Sequence, residues 1–266
     1  MEGMGLIMNK DLADLLIETY GQTINDIISK KNGLKIDTFT HSLKLSACMV
    51  EFVDYLRKMP LSELNKKIKH KDKDLFINYI KNLSFAQYDK LIVMCWWHDI
   101  GKIKISKKIL AKPGKLTEEE YKEMSKHSVH SANLLRELGF SDDIIASVFF
   151  HHPKNFSEKK IYVFLPAISL LEITDIYTAL REPRVYREKD LTLEESIKIL
   201  QSELEKGLGN PFYKIFVEFI TEKENEHYDI FKKFEKTTLK DIAEKSMHYI
   251  DKSKQISAAP VVKNED

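Results

Sequence analysis

The run Leu91-Ile92-Val93-Met94-Cys95-Trp96-Trp97-His98-Asp99-Ile100-Gly101-Lys102 passes from an apolar stretch into a His-Asp pair, a glycine and a lysine. Neighbours on a regular helix point about 100° apart, so His98 and Asp99 can face one site only where the helix ends or distorts. Gly101, two residues after Asp99, reads as that ending. A carboxylate able to bridge two cations, beside an imidazole, suits a two-metal hydrolytic site. Taken alone, the pair reads first as an ordinary helix terminus, and the surrounding chain has to overturn that reading.

Outward from this run, apolar residues recur at three and four spacing and strand signals are almost absent, so the 266-residue chain reads as all-α. Residues 9–29 form an amphipathic N-terminal helix that Lys30-Lys31-Asn32-Gly33 breaks. A second helix runs from Thr38 to Lys58 and is closed by Met59-Pro60. The lysine-rich segment 61–87 reads as short surface helices, an insertion rather than core. Beyond the central run, Lys112-Pro113-Gly114-Lys115 makes a turn, and Thr117 with Glu120 has capping-box spacing for a helix reaching Leu138, where Gly139 stops it. Ser141 caps the next helix, which ends at His151-His152-Pro153. Further helices are expected at Val163–Leu180, 193–206, 211–221 and 223–251, with a polar tail from Ser253 that reads as disordered. The domain limits that follow are 1–33, 34–221 with the 61–87 insertion, and 222–266.

Composition narrows the function classes. With 42 basic and 41 acidic residues there is no net field to attract a long polynucleotide. The start of the chain lacks the pattern of a signal peptide, and no apolar run approaches 18 residues. The expectation is a cytoplasmic protein with no membrane partner, whose Cys48 and Cys95 are buried thiols rather than a disulfide. The terminal helices are the surfaces available for a homodimer.

The histidines carry the chemistry. His41 lies on the helical face continued by Leu45, Cys48 and Phe52, His127 lies mid-helix, and His151-His152 close a helix. Asp175 stands among Ile168, Leu171, Ile173, Ile176 and Leu180, although carboxylates are rarely buried unless paired or bound to metal. One core cannot readily hydrogen-bond so many imidazoles without a shared partner, and cations supply one.

Read together, these pieces resemble the HD superfamily of metal-dependent phosphohydrolases, and within it the HD-GYP branch. That family carries His, His-Asp, His, His-His and Asp in this order on a helical bundle, matching His41, His98, Asp99, His127, His151, His152 and Asp175. HDIGKIKISKKILAKPGKLTEEEYKEMSKH, ITDIYTAL and Arg184-Val185-Tyr186-Arg187 resemble the family's surrounding text. Two departures stand out: Pro153–Lys160 replaces the expected Gly-Tyr-Pro stretch, and 57 positions separate His41 from His98.

The resemblance implies an HD-domain bundle with added N- and C-terminal helices, binding two divalent cations, iron or manganese. Asp37, where some members have a metal-assisting Glu, would serve a third ion or else cap its helix. The implied reaction is phosphodiester hydrolysis of a cyclic dinucleotide, such as cyclic di-GMP, by a metal-bound hydroxide. Lys102 would act at the scissile phosphate, and Arg184 and Arg187 would bind phosphate or pair with Glu182 and Glu188. The altered loop keeps two alternatives open: a mononucleotide nucleotidase or phosphatase, and a catalytically degenerate nucleotide-binding signalling module. Trp96 and Trp97 are expected to fill the core behind the site, His130 to support the ligands from outside or to be structural, and the Lys66–Lys71 run to be solvated.

Overall fold

The computed structural model describes residues 38–112, 114–152, 165–182, 189–205 and 209–250, and every regular element among them is helical. In chain order these are α1 (Thr38–Lys58), α2 (Leu61–Lys67), α3 (Lys73–Lys81), α4 (Phe85–Trp97), a 3-10 turn (Ile100–Lys104), α5 (Lys107–Leu110) and α6 (Glu118–Ser125). There follow α7 (His127–Glu137), α8 (Asp142–Phe149), α9 (Leu165–Arg181), α10 (Leu193–Glu205), α11 (Tyr213–Asn225), α12 (Leu239–Ser246) and a last 3-10 turn (Met247–Tyr249). The N-terminal helix expected at 9–29, Asp37, the loop 153–160, Arg184, Arg187 and the tail from Ser253 lie outside the described residues.

The centre of the bundle is α4, packed between α1 and α8, with α9 closing over α1. Its start is set by a capping box: Ser84 accepts from the Gln87 backbone N–H, and the Gln87 side chain accepts from Ser84. All of Leu91 through Trp97 is buried, so the C-terminal half of this helix is apolar around its whole circumference, as a segment at the middle of a bundle must be. Phe52 of α1 packs edge-to-face on Phe216 of α11 at 4.8 Å between ring centres. Such a pair contributes about 0.5–1.5 kcal/mol beyond the area it buries.

Three elements depart from the reading of the sequence. The segment 61–87 does form short helices, but Leu64, Ile68, Phe76, Ile77 and Ile80 are buried, and α3 packs on α1 and α9. Its apolar stripe is narrow and interrupted by lysines, which hides it in the sequence. The helix expected from Thr117 to Leu138 is two helices, broken at Lys126 with no glycine or proline to announce it. In place of one helix over 223–251, α11 runs on to Asn225, turns follow through His227 (φ 53°), and α12 begins only at Leu239, capped by the Thr238–Asp241 capping box.

This C-terminal segment forms the back wall of the centre of the bundle. The buried Trp97 donates its indole N–H to Ser246 Oγ at 2.8 Å, a donor whose burial without a partner would cost about 1–3 kcal/mol. Trp96 meets Phe234 edge-on, so both tryptophans fill the core as expected. Ile242 and Ala243 of α12 are buried in the chain's own core. Cys48 and Cys95 are buried and free. Among the described residues, no helix is long and apolar enough to cross a membrane.

Candidate metal centre

Helix α4 ends at Trp97, His98 is its C-cap, and Asp99 (φ −103°, ψ 4°) turns the chain into the 3-10 segment. The helix therefore ends before the His-Asp pair, and the ending does not need Gly101. What Gly101 supplies is closeness. A Cβ there would lie 2.1 Å from the His127 carbonyl oxygen and 2.4 Å from the Ser131 nitrogen. Its own N–H donates to Ser131 Oγ at 2.8 Å. Bare backbone thus lets the 3-10 turn press onto α7, and that contact carries Asp99 to His127.

Three imidazoles are held in the same way. Nδ1–H of His98, His127 and His151 donates to the carbonyl three residues back: Cys95 at 2.8 Å, Met124 at 2.6 Å and Val148 at 2.5 Å. Each histidine stands at a helix end, where carbonyls lack their intrahelical partner. The break at Lys126 creates such an end before His127. With the Nδ1 proton held by the backbone, Nε2 is the nitrogen each ring turns toward the centre.

The donors gather into two groups that each fit a cation: His41, His98 and Asp99, and His127, His151 and His152. His127 and His151 face each other Nε2 to Nε2 at 3.2 Å, and buried His98 Nε2 has no hydrogen-bond partner. The facing lone pairs of His127 and His151 call for a positive charge between them. Asp99 lies at the junction: Oδ2 is 3.2 Å from His98 Nε2 and Oδ1 is 3.3 Å from His127 Nε2. Asp175, on otherwise apolar α9, places Oδ1 2.9 Å from His41 Nε2 and 3.7 Å from His98 Nε2. The structure thus brings together all seven residues read from the sequence at 41, 98, 99, 127, 151, 152 and 175.

The two groups differ electrostatically. Burial works against charge on His98, but Asp99 and Asp175 outweigh it and raise its pKa from 6.5 to about 10. His41 is raised likewise, against burial, by Asp175 and Glu182. Asp99 is held well below the usual carboxylate range despite its burial, chiefly by His98 and Lys102. In the other group, burial pushes His127 down, and burial with the neighbouring imidazoles pushes His151 well down, so these rings stay neutral. One group is a cluster of ionised pairs, and in the other His127 and His151 are neutral imidazoles open to a cation.

Lys102 Nζ contacts Asp99 Oδ2. The lysine therefore meets the central carboxylate itself rather than only leaning over the site. His130 belongs to neither group, in keeping with a structural role. The residue that sequence reasoning did not find is Glu182, whose Oε2 accepts from His41 Nδ1 at 3.1 Å. Its signal was the seven-residue spacing from Asp175, which puts both on one face of α9.

Residues 83–207 match the family described as HD domain, a stretch that includes every gathered residue except His41. HD domains are metal-dependent, which agrees with the donor set. The chain is 30% identical over 117 residues to the 3′3′-cGAMP-specific phosphodiesterase 1 of Vibrio cholerae, covering 41% of this chain and 26% of that protein. It is also 30% identical over 135 residues to the cyclic di-GMP phosphodiesterase of the same organism, covering 41% of this chain and 27% of that one. The chain spans about a quarter of the length of the curated relatives it matches.

Proposed function

We propose that this member of the HD superfamily hydrolyses a phosphodiester bond of a cyclic dinucleotide at the centre formed by His41, His98, Asp99, His127, His151, His152 and Asp175. The observation that supports the reading best is Asp99, a buried carboxylate with one oxygen toward each of the two imidazole groups. That is the placement a ligand shared between two ions needs. When bound, two divalent cations, iron or manganese in this reading, acidify a water and polarise phosphoryl oxygens. The protein's part is to hold Asp99 ionised, to keep the histidine protons on Nδ1, and to present Lys102 beside the shared carboxylate. Arg184 and Arg187 are proposed phosphate contacts on the strength of their sequence motif alone. The names of the relatives favour cyclic dinucleotides as the substrate class.

The test is a substrate panel on protein purified and loaded anaerobically with Fe(II) or Mn(II). Cyclic dinucleotides are expected to give a linear dinucleotide or mononucleotides, with no inorganic phosphate. Phosphate released from a nucleoside monophosphate, with every cyclic dinucleotide untouched, would replace this reading with a nucleotidase.

Lys102 separates chemistry from metal retention. Its ammonium can stabilise charge developing on a phosphoryl oxygen without serving as a ligand. Lys102→Ala is expected to keep its metal content while turnover falls about tenfold to a thousandfold, as on removing one electrostatic stabiliser. Lys102→Arg should restore only part of the rate, because a planar fork replaces a point charge. Normal turnover in the alanine variant would reduce Lys102 to a counter-ion for Asp99.

A further inference from the structure

His41 is held differently from its neighbours. His98, His127 and His151 stand at helix ends and use a nearby free carbonyl. His41 stands inside α1, where backbone carbonyls are taken up by the helix's own ladder. Its Nδ1 must find a partner elsewhere in the fold, and it finds Glu182 Oε2 at 3.1 Å.

The carboxylate arrives by simple helical geometry. Glu182 lies just past the end of α9, seven residues after Asp175, and two turns of helix return to the same face. One face of α9 therefore grips the imidazole at both nitrogens, Asp175 at Nε2 and Glu182 at Nδ1. The His41 and Glu182 side chains are only 9% and 13% exposed, so water competes weakly for the contact.

We infer that Glu182 is a positioning residue for the metal group containing His41. Resting on the metal-centre reading above, it holds a proton on Nδ1 and fixes the plane of the ring, which keeps Nε2 aimed at Asp175 and the centre. A carboxylate at the remote nitrogen also makes the imidazole a stronger donor, an effect a backbone carbonyl supplies less fully. A histidine in the first turn of α1 thus gains its anchor from the far end of α9.

The experiment measures Mn(II) affinity by competition with a fluorescent chelator, for wild type, Glu182→Ala, Glu182→Gln, His41→Ala and the double variants. Loss of an outer carboxylate is expected to weaken one of the two binding steps by about 10–100-fold in Glu182→Ala. Glu182→Gln keeps the shape and an oxygen acceptor, and should recover a good part of that loss. In the His41→Ala background, Glu182→Ala should cost nothing further, which a general structural role would not produce. Unchanged Mn(II) affinity in Glu182→Ala, or an equal loss with and without His41, would overturn the inference. Wild-type protein that retains no Mn(II) would overturn the metal centre itself, and this inference with it.

Discussion

Asp99→Ala is expected to emerge from anaerobic purification without its metal and without turnover. The substitution removes the only carboxylate with an oxygen toward each imidazole group among the described residues, together with the counter-charge of buried His98. Turnover should fall by about a thousandfold or more, because losing an acidified water alone removes several powers of ten. Elemental analysis and single-turnover hydrolysis check both parts. Full metal content with undiminished turnover would refute the two-ion reading. The Asp99 carboxylate, with Asp175, also sets the pH behaviour of the wild type. With its pKa raised to about 10, His98 is protonated at neutral pH in the metal-free state and must release that proton to serve as a ligand. Metal affinity should therefore fall as pH falls below that value.

The second large effect is expected at Gly101, a residue with no reactive group. Gly101→Ala would place a methyl 2.1 Å and 2.4 Å from backbone atoms of α7, and backbone cannot swing aside as a side chain can. Overpacking in a tight contact costs about 1–3 kcal/mol and sometimes more, and the bond to Ser131 is strained as well. A loss of about 3 kcal/mol corresponds to a melting temperature lower by roughly 6–12 °C in a chain of this size. Because the methyl pushes His127 away from Asp99, metal affinity should fall together with stability. A variant melting like wild type and holding its metal would show that the contact relaxes at no cost.

How far the sequence revealed this arrangement depends on what each feature leaves in it. Every histidine and aspartate in the two groups could be named in advance, since a buried imidazole or carboxylate stands out against an apolar helix. Gly139 was legible as a stop: in the structure its φ is 82°, with bonds from Gly139 N to Arg136 O and from Phe140 N to Leu135 O that close the helix. Gly101 was read with the same rule and does something else, because a sequence does not say which backbone another helix will approach. The break at Lys126 left no residue-level mark, being fixed by how α6 and α7 must cross to bring His127 inward. Glu182 was visible only as a neighbour for arginines, since its true partner lies at the other end of the domain.

That last contact bears on how the fold is assembled. His127 and His151 meet across 24 residues of chain, whereas His41 and Asp175 meet across 134. The entropy of closing a loop grows with the logarithm of its length, so the longer closure costs about 1.5 kcal/mol more. Contacts between distant segments also form late in folding, after local structure can support them. The imidazole-only group can therefore come together within a short stretch of chain, while the carboxylate-rich group waits for the first and ninth helices to meet. An ion held in that second group would act as a clasp across the whole domain, the last fastening to close and the first to open.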